Sequence, residues 1–506
     1  PAPEVLVASF APGAVGAVPD PAAGPATGSV PDPATGHTAH GVPDPRTVHD
    51  AVHRALALVR ERLADGSPET SRLVVVTRGA VATGTAPDVA DLVHAPLWGL
   101  LRSARTENPG RFVLVDADDS SVGLLPAALA TGEPELVLRE GVAYVPRLVT
   151  LPAGDTLTPP PGETAWRLAV GSPDGTAVDD LALVPAPEAT APLEPGQVRV
   201  AVYAAGVNFR DVLIPLGLYP QRSLLGGEGA GVVLEVGPGV TGLVPGDRVM
   251  GLFAECGAFG PVAVTDHRVL VPIPTGWSFT QAATVPVTFL TAYQGLVDLA
   301  NLRPGESVLV HAAAGGVGMA AVQIARHLGA LVYATASPGK WDAVRRTGIP
   351  EDRIASSRTL DFEERFLTAT RGAGVDVVLN SLSRDFVDAS LRLLPRGGRF
   401  LEMGKTDLRD PDGVAADHPG VAYRAFDLNE AGPERLGQML RELRVLFECG
   451  ILTPLPVSRF DVRRARVAFR HLSQARHVGK VVLTVPPFDP DGTVLVTGAT
   501  GTLGAL

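Results

Sequence analysis

The sequence predicts an α/β protein in which two regions of alternating strands and helices flank a region made mainly of strands. Short apolar runs that read as buried strands alternate with stretches of helical periodicity at 46–150 and again at 291–425. Between residues 166 and 290, glycine-containing turns separate short apolar segments such as "QVRVAVYAAGV" and "GAGVVLEVGPGV". That pattern is typical of a small β-barrel.

The overall composition is that of a globular, acidic protein. The formal net charge of −11 disfavours nucleic acid as a partner, because phosphate backbones require clustered lysine and arginine. We find neither a basic-then-apolar leader nor an apolar stretch long enough to cross a membrane, so we expect a soluble cytoplasmic protein. The two cysteines, Cys256 and Cys449, are too few for a disulfide framework or a cysteine-rich zinc site.

Residues 306–337 contain the strongest functional motif. Residues 307–311 read as a strand, residues 318–328 read as a helix, and the turn between them has small residues at the spacing of a dinucleotide-binding fingerprint. Small residues let the backbone approach a pyrophosphate, and the helix N-terminus supplies N–H donors. The predicted pyrophosphate site consists of Ala313, Gly315, Gly316, Val317 and Gly318.

The residues after the next strand predict which dinucleotide is bound. NAD-binding domains carry an acidic residue about 20 residues beyond the fingerprint, where it binds the ribose hydroxyls. This chain has Ser337 there, Lys340 close behind, and Arg358 as a second cation. A cation without an acid suits a 2′-phosphate, so the sequence predicts NADPH. Only three of the 43 basic residues are lysines, and each is a candidate for a role that requires an ammonium group: Lys340, Lys405 and Lys480.

The chain divides into regions of different composition. Residues 1–45 are rich in Pro, Ala and Gly and repeat "VPDP" three times, so we expect a flexible linker. The next regions are a degenerate nucleotide-binding α/β subdomain at 46–150 and a linker at 151–165. They are followed by a β-rich domain formed by 166–290 and 426–484, a cofactor-binding domain at 291–425, and the start of a second nucleotide-binding fold at 485–506.

Five segments resemble zinc-free medium-chain reductases, and within them the enoylreductase domain of modular polyketide synthases. They are "AGVNFRDVLIPLGLYP", "GGEGAGVV", "HAAAGGVGMAAVQIA", "FLEMGKTD" and "FRHLSQARHVGKVVL". The resemblance implies a Rossmann cofactor domain and a GroES-like substrate domain. It also implies reduction of a 2-enoyl thioester on an acyl carrier protein during polyketide biosynthesis, with a hydride added at Cβ and a proton at Cα.

The flanking regions resemble the two halves of a ketoreductase, between which such synthases carry the enoylreductase. Residues 46–150, which end in "VAYVPRL", resemble the structural half, and "VLVTGATGTLGAL" resembles the beginning of the catalytic half. We therefore expect a piece of a larger, multifunctional synthase whose other domains are its partners. The second enzyme's catalytic residues are not in this sequence, so we expect no ketone reduction by this chain alone.

The comparison with zinc-dependent relatives argues against a metal. Those relatives carry a cysteine where Asn208 falls and a histidine where Gly227 falls, and this chain has neither ligand. Without a metal, hydrogen-bond donors of the protein must stabilise the enolate oxygen.

Three residues at family motif positions are candidates for proton transfer. Tyr219 has a phenolic proton, and the family pattern links tyrosine there to one configuration of an α-methyl branch. Lys405 follows a strand and a Met-Gly turn expected beside the nicotinamide, where an ammonium would protonate Cα or stabilise the enolate. Asp427 would hold Lys405 and keep it charged. His311 and His477 are expected to be structural, because the reaction needs no further base.

Five further positions are expected to line the cofactor site. Asn208 and Thr291 match residues that face the nicotinamide end in zinc-free relatives. Asn380 and Ser381 end a strand at the sheet edge where such folds bind ligands. Lys480, in the closing "HVGK" motif, is expected to make a structural or cofactor contact rather than to take part in the chemistry.

Two other functions agree with parts of the sequence. A stand-alone quinone or enone reductase of the same superfamily would share the motifs, but we do not expect it to carry the two flanking α/β segments. A catalytically silent scaffolding segment of a synthase would need neither the intact fingerprint nor Tyr219, Lys405 and Asp427. The flanking α/β segments and the candidate site residues together favour the enoylreductase over both alternatives.

Overall fold

Short β-branched strands and amphipathic helices alternate along the chain and assemble into two units, Pro1–Leu151 and Pro152–Leu506. The structure is a computed structural model that describes residues 5–10, 43–64, 71–83, 89, 91–139, 141–147, 156–171, 177–219, 224–253 and 257–485. Across these ranges no helix has the length and apolar character needed to cross a membrane.

A five-stranded sheet forms the centre of the first unit. Its strands are β1 (Val5–Phe10), β2 (Arg72–Thr77), β3 (Phe112–Ala117), β4 (Glu135–Arg139) and β5 (Val142–Tyr144), and its helices are α1 (Pro45–Ala64), α2 (Ala95–Glu107) and α3 (Leu125–Leu129). The strands lie in chain order, and every neighbouring pair is parallel except β4 and β5. This is the α/β subdomain that the sequence predicts.

The linker predicted for residues 1–45 is wrong for residues 5–10. Strand β1 pairs in parallel with β2 over six residues, and Phe10 is buried in the core of the unit. The segment "VLVASF" combines β-branched and aromatic residues that suit a strand, but the long Pro- and Gly-rich stretch after it obscures the signal. Residues 1–4 and 11–42 of the predicted linker lie outside the described residues.

The Asp116 carboxylate accepts hydrogen bonds from backbone N–H groups of the loop after β2. Asp116 on β3 is fully buried and accepts hydrogen bonds from Thr77 Oγ1 at 2.5 Å, Gly79 N at 3.1 Å and Ala80 N at 3.0 Å, and it pairs with Arg139. An internal anion therefore takes the backbone donors that a bound phosphate would need. This is consistent with a nucleotide-binding half-fold that has lost its glycine fingerprint.

A six-stranded parallel sheet forms the cofactor domain of the second unit. Its strands are β13 (Ser307–Val310), β14 (Leu331–Ala336), β15 (Ile354–Ser356), β16 (Val377–Asn380), β17 (Gly398–Glu402) and β18 (Val421–Ala425). Its helices are α7 (Gly316–His327), α8 (Trp341–Arg346), α9 (Phe362–Ala369), α10 (Asp385–Arg392) and α11 (Pro411–Asp417). The order β15-β14-β13-β16-β17-β18 is the 3-2-1-4-5-6 order of doubly wound dinucleotide folds.

A seven-stranded, mostly antiparallel sheet forms the barrel domain. Its strands come from two separated segments and are β8 (Gln197–Val207), β9 (Glu228–Val236), β10 (Arg248–Leu252), β11 (Val262–Asp266), β12 (Leu270–Pro272), β19 (Val457–Asp461) and β20 (Lys480–Thr484). A separate hairpin pairs β6 (Trp166–Val170) with β7 (Leu181–Pro185). The predicted fold class, an α/β protein with a doubly wound domain and a GroES-like barrel domain, is confirmed.

Five further helices belong to the second unit. They are α4 (Phe209–Leu213), α5 (Phe279–Ala282), α6 (Pro286–Tyr293), which continues as a π-helix at Gln294–Leu299, α12 (Gly432–Glu448) and α13 (Ala465–Ser473). Two of them, α4 and α13, pack on the core of the barrel domain. Short 3₁₀ turns lie at Val122–Leu124, Val178–Asp180, Pro187–Thr190, His267–Val269, Pro338–Lys340, Glu351–Arg353, Leu428–Ala431 and Val462–Arg464. Of the second nucleotide-binding segment predicted at 485–506, residues 486–506 lie outside the described residues.

His311, directly after β13, is buried in the cofactor domain. Its Nδ1 lies 2.8 Å from Thr335 Oγ1, and its Nε2 lies 2.8 Å from Ser390 Oγ. Ser390 donates its own proton to the Phe386 carbonyl, so it accepts one from Nε2. Burial lowers the pKa of His311 to about 3, and the neutral imidazole therefore holds β13, β14 and α10 together.

Replacing His311 with Gln should reduce the acid sensitivity of the fold. The pKa of His311 in the fold, about 3, lies below its ordinary 6.5, so the unfolded chain binds more protons between these values. The neutral histidine stabilises the fold fully only above pH 6.5, and between neutral pH and about pH 5 this stabilisation falls by about 2 kcal/mol.

Urea denaturation of the chain at both pH values measures this difference. His311→Gln should be less stable at neutral pH but should lose less stability on acidification than the unmodified chain. His327→Gln, which changes an exposed histidine on α7, is the control. An unchanged pH dependence in His311→Gln would contradict the assignment.

Candidate active site

The turn between β13 and α7 forms a glycine cradle at the helix N-terminus. Gly315 N donates to the Ala312 carbonyl at 2.8 Å, and Ala312 adopts the left-handed region with φ 51°. A Cβ on Gly318 would lie 2.4 Å from Ala312 O and 2.7 Å from Ala313 Cα, so only glycine allows the helix to pack this closely. The helix begins at Gly316, two residues before the predicted start. The cradle has the shape and N–H donors that a pyrophosphate requires.

The barrel domain reaches the other side of this cradle. Gly315 forms a parallel bridge with Gly479, whose N–H donates to the Ala314 carbonyl at 2.9 Å. A Cβ on Gly316 would lie 2.8 Å from Thr288 Cγ2 on α6 and 3.6 Å from Lys480 Cδ on β20. Strand β20 and helix α6 therefore fix the cradle relative to the barrel.

Thr291, expected at the nicotinamide end, lies one turn beyond Thr288 on α6. Its side chain is half-buried. Thr291 therefore lies on the helix whose Thr288 contacts the predicted pyrophosphate cradle.

A buried cluster of Lys480, Glu228 and Asn208 lies next to the cradle. Lys480 Nζ is 2.6 Å from Glu228 Oε1 and 2.5 Å from Asn208 Oδ1, and Asn208 Nδ2 donates to Glu228 Oε1 at 2.8 Å. The Lys480 and Glu228 side chains are 3% and 0% exposed. Glu228 Oε2 accepts from Val287 N at 2.8 Å, which ties the cluster to the start of α6. Both ends of the Asn208 amide are therefore fixed in orientation.

Asp211 fixes the backbone around Asn208. Its carboxylate accepts from Asn208 N at 2.7 Å and from Gly226 N at 3.0 Å, and it is fully buried at the beginning of α4. Burial raises the pKa of Asp211 to about 6, although these N–H donors and the charges of Arg210 and Lys480 oppose the rise. The loop that presents Asn208 is therefore rigid while Asp211 is ionised.

Lys405 and Asp427 form an ion pair at the carboxyl ends of β17 and β18. Lys405 Nζ lies 3.0 Å from Asp427 Oδ2 and donates to the Phe426 carbonyl at 2.9 Å. The two side chains are 30% and 31% exposed, so both face an accessible space. Burial alone would raise the pKa of Asp427, but hydrogen bonds from Asn429 N and Lys405, with the nearby charges, hold it below its usual value.

Arg210 brings Tyr219 into the same neighbourhood. The Arg210 guanidinium carbon lies 5.2 Å from the centre of the Tyr219 ring, a cation–π contact. The positive charge of Arg210 also helps to lower the pKa of Asp427. Arg210 therefore contacts Tyr219 and also acts on Asp427, the partner of Lys405.

The predicted 2′-phosphate residues lie together at the carboxyl ends of β14 and β15. Ala336 at the end of β14 pairs with Ser356 at the end of β15, which places Ser337 beside the segment that carries Arg358. Lys340 Nζ donates to the His477 carbonyl at 2.5 Å. Burial and the positive charge of Arg358 lower the pKa of Lys340.

Asn380 and Glu402 connect the loops that follow β16 and β17. Asn380 is fully buried, and its Nδ2 donates to Glu402 Oε2 at 2.5 Å and to Leu382 O at 2.8 Å. Glu402 Oε1 accepts from Gly404 N at 2.6 Å, and burial raises the pKa of Glu402 to about 7. Protein groups thus occupy the Asn380 amide, whose role is to order a loop, whereas Ser381 is exposed at the sheet edge.

Four charged residues around the site were missed by sequence reasoning. Each lies in a segment that carries the family resemblance, and Glu228 and Glu402 stand at the ends of strands that are mostly apolar or glycine-rich. That position was the available signal, because a charge beside a buried strand requires a partner. The four are Arg210, Asp211, Glu228 and Glu402. In the described part of the chain no group of three or more His, Cys, Asp or Glu is arranged to hold a metal ion.

Breaking the buried pair with Glu228→Gln should destabilise the fold. It leaves the Lys480 ammonium buried without a counter-charge, which costs about 3 to 5 kcal/mol. The double variant Glu228→Gln/Lys480→Met should regain most of that loss in urea denaturation. Asp298→Asn, which breaks the half-exposed pair with Arg435, is the control and should cost less than about 1 kcal/mol. Equal effects of Glu228→Gln and Asp298→Asn would contradict the role of the cluster.

Three family models match successive parts of the chain. The Rossmann fold domain of polyketide synthase extender module SpnB matches residues 2–148, the alcohol dehydrogenase GroES-like domain matches residues 194–294, and a zinc-binding dehydrogenase model matches residues 350–483. The first match covers the α/β subdomain, and the other two cover much of the barrel and cofactor domains.

A relative and two solved structures are similar to this chain. The spectinabilin polyketide synthase system protein NorB of Streptomyces orinoci is 60% identical over 454 residues, which are 89% of this chain but 21% of that protein. The structure of CurK enoyl reductase is 40% identical with a TM-score of 0.59, over 64% of this chain and 100% of the other. Escherichia coli quinone oxidoreductase complexed with NADPH is 29% identical with a TM-score of 0.56, over 63% and 100% of the two chains.

These similarities agree with the geometry of the site. The Rossmann domain and the medium-chain oxidoreductase architecture imply a nicotinamide cofactor, and the glycine cradle at Gly315–Gly318 fits its pyrophosphate. The chain spans about a fifth of the length of NorB. By its fold, its motifs and its similarity to CurK enoyl reductase along the whole of that chain, it belongs to the enoyl reductase family of polyketide synthases within the medium-chain oxidoreductases.

Proposed function

We propose that this chain uses NADPH to reduce the 2,3 double bond of an enoyl thioester carried on an acyl carrier protein during polyketide biosynthesis. Hydride is added at Cβ and a proton at Cα, without a metal. The observation that carries the proposal is the accessible Lys405–Asp427 ion pair at the carboxyl edge of the sheet that holds the glycine cradle. An ammonium held there is a proton donor placed where such folds bind their ligands.

The similarity to synthases supports the choice of substrate and partners. NorB is named as part of a polyketide synthase system and CurK as an enoyl reductase. An acyl carrier protein that presents the thioester on a phosphopantetheine arm, and other domains of one synthase, are accordingly the proposed partners.

The residues proposed to hold NADPH occupy two ends of one site. The backbone of Ala313, Gly315, Gly316, Val317 and Gly318 would hold the pyrophosphate, and Ser337, Lys340 and Arg358 the 2′-phosphate. Asn208, Thr291 and Lys480 would surround the nicotinamide end, with Ser381 and the loop ordered by Asn380 beside it. When bound, the cofactor supplies the hydride. The name of the Escherichia coli quinone oxidoreductase structure, which includes NADPH, supports this choice of dinucleotide.

Lys405 is the proposed proton donor of the cofactor-domain side. Two of its N–H groups point to Phe426 O and Asp427 Oδ2, and in the described residues the third has no acceptor, so it is available to the substrate. Asp427, with its pKa held below the usual value, stays ionised and holds the Lys405 ammonium in place. The same ammonium stabilises negative charge that develops on the thioester oxygen.

Tyr219 is the proposed donor of the barrel side. Its ring lies against Arg210, whose positive charge favours negative charge forming nearby. A phenol on one side and an ammonium on the other would allow protonation of Cα from either face. The choice between these faces fixes the configuration of an α-branched product.

The proposed function predicts NADPH consumption with a 2-enoyl pantetheine thioester and none with a quinone. Lys405→Met should lower kcat about 10²- to 10⁴-fold while NADPH still binds, as measured by its fluorescence. Lys405→Arg keeps the charge but cannot release a proton, so it should lose a similar factor. Full activity of Lys405→Met would contradict the assigned role, and turnover with the quinone alone would contradict the proposed function.

The cofactor assignment predicts that Lys340→Ala weakens the binding of NADPH but not the binding of NADH. Loss of a charge-assisted hydrogen bond to the 2′-phosphate should raise KM for NADPH about tenfold or more. KM for NADH, which lacks that phosphate, should stay unchanged and serves as the internal control. A parallel rise for both dinucleotides would show that Lys340 acts on the fold and not on the phosphate.

A further inference from the structure

A polar cleft next to Lys405 has no role in the function proposed above. It has a volume of about 540 Å³ and is lined by Ser383, Arg384, Thr406, Asp407 and Arg409. These residues belong to the loops that follow β16 and β17, at the carboxyl edge of the sheet. The Asn380–Glu402–Gly404 hydrogen bonds fix the beginnings of both loops, so the cleft is preformed.

The free hydrogen-bonding capacity of the cleft consists mainly of donors. Asp407 accepts from Arg384 N at 2.5 Å and pairs with Arg409 Nε at 3.1 Å, and Arg409 also pairs with Asp388. Both carboxylates that border the cleft are thus engaged. Within the described ranges, the Ser383 and Thr406 hydroxyls and the Arg384 guanidinium have no partner. The positive charges of Arg384 and Arg409 are balanced by the negative charges of Asp407 and Asp388. A ligand would therefore be held by directed hydrogen-bond donors rather than by a net positive charge.

The backbone of Arg384 is strained. It adopts φ 60° and ψ −135°, a conformation that non-glycine residues rarely occupy, and the Asp407 carboxylate holds its N–H in place. An arginine held at this position in spite of the strain adds a forked donor to the lining of the cleft. Guanidinium and hydroxyl donors in one cavity match the oxygens of a phosphate.

We propose that this cleft binds a phosphate ester, that of the phosphopantetheine arm carrying the enoyl thioester. The inference rests on the proposed function, because it requires the thioester end of the arm to lie beside Lys405 while its phosphate lies in the cleft. NADPH also carries phosphates, but the cradle at Gly315–Gly318 and the cations Lys340 and Arg358 already match those groups. The arm is therefore the source of the phosphate that the cleft takes.

The test uses two thioesters that differ only in the phosphate, crotonyl-pantetheine and crotonyl-4′-phosphopantetheine. KM for the phosphorylated thioester should be about tenfold lower with the unmodified chain, since one charged hydrogen-bonded contact is worth about that factor. Arg384→Gly, which relieves the strain and so favours folding, should bring the ratio of the two KM values close to one. Arg384→Lys should keep part of the ratio. Arg371→Gly removes another exposed arginine with positive φ, 54°, and is the matched control.

Other outcomes overturn the assignment. If Arg384→Gly leaves the KM ratio unchanged, the cleft does not bind the arm. If it raises KM for NADPH and affects both thioesters alike, the cleft takes a phosphate of the cofactor instead. Should the unmodified chain reduce neither thioester, the proposed function fails, and calorimetric titration with both compounds still tests the cleft. Equal affinity of the two thioesters there would overturn the inference by itself.

Discussion

The buried ion pair between Lys480 and Glu228 is the contact on which the rest of the site depends. Charges removed from water are stable only when they are paired and hydrogen-bonded, so this pair fixes its surroundings strongly. The pair joins β20 to β9, its other partners are Asn208, directly after β8, and the start of α6, and the Lys480 side chain lies against the glycine cradle. One buried interaction thus sets the position of the barrel relative to the cofactor turn.

The site is built from two kinds of element with different physical demands. Cofactor contacts rely on backbone N–H groups and glycine packing, which need rigid close approach and little side-chain chemistry. The Lys405–Asp427 pair and the Arg210–Tyr219 contact are partly exposed, so their groups can meet a substrate. Glu402 and Asp211 are buried carboxylates that hold loops in place by accepting hydrogen bonds from backbone and amide N–H groups. The buried carboxylates make the loops rigid, and the partly exposed groups are the ones proposed to react.

The first unit has a similar fold in which a carboxylate of the protein binds loop N–H groups at a strand end. Its loop after β2 donates backbone N–H groups to Asp116, which is itself part of the sheet. A carboxylate in that position takes N–H donors that a phosphate would need and stabilises the loop instead. The two α/β regions of this chain therefore differ at the loop after a strand. In the first, an internal carboxylate accepts the loop N–H groups, and in the second, the glycine turn at Gly315–Gly318 forms an open cradle.

Much of this fold was predictable from local pattern, and the limits have physical causes. The strand–turn–helix at 307–328 and the closeness of Lys405 and Asp427 followed from spacing and family motifs. Glu228 and Asp211 were missed because a charge in a glycine-rich or apolar segment reveals its partner only after distant strands assemble. Strand β1 was missed because a six-residue strand depends on pairing with β2, some 60 residues later in the chain. Contacts between residues far apart in the sequence could not be predicted, whereas local turns could.

Isotope transfer tests the central claim most directly. NADPH deuterated at the transferable position would be mixed with the chain and crotonyl-pantetheine, and the product examined by NMR. Our account predicts one deuterium at Cβ from the cofactor and, in a separate reaction in D₂O with ordinary NADPH, one deuterium at Cα from solvent. Deuterium from the cofactor at Cα, or an unreduced double bond while a quinone is consumed, would contradict it.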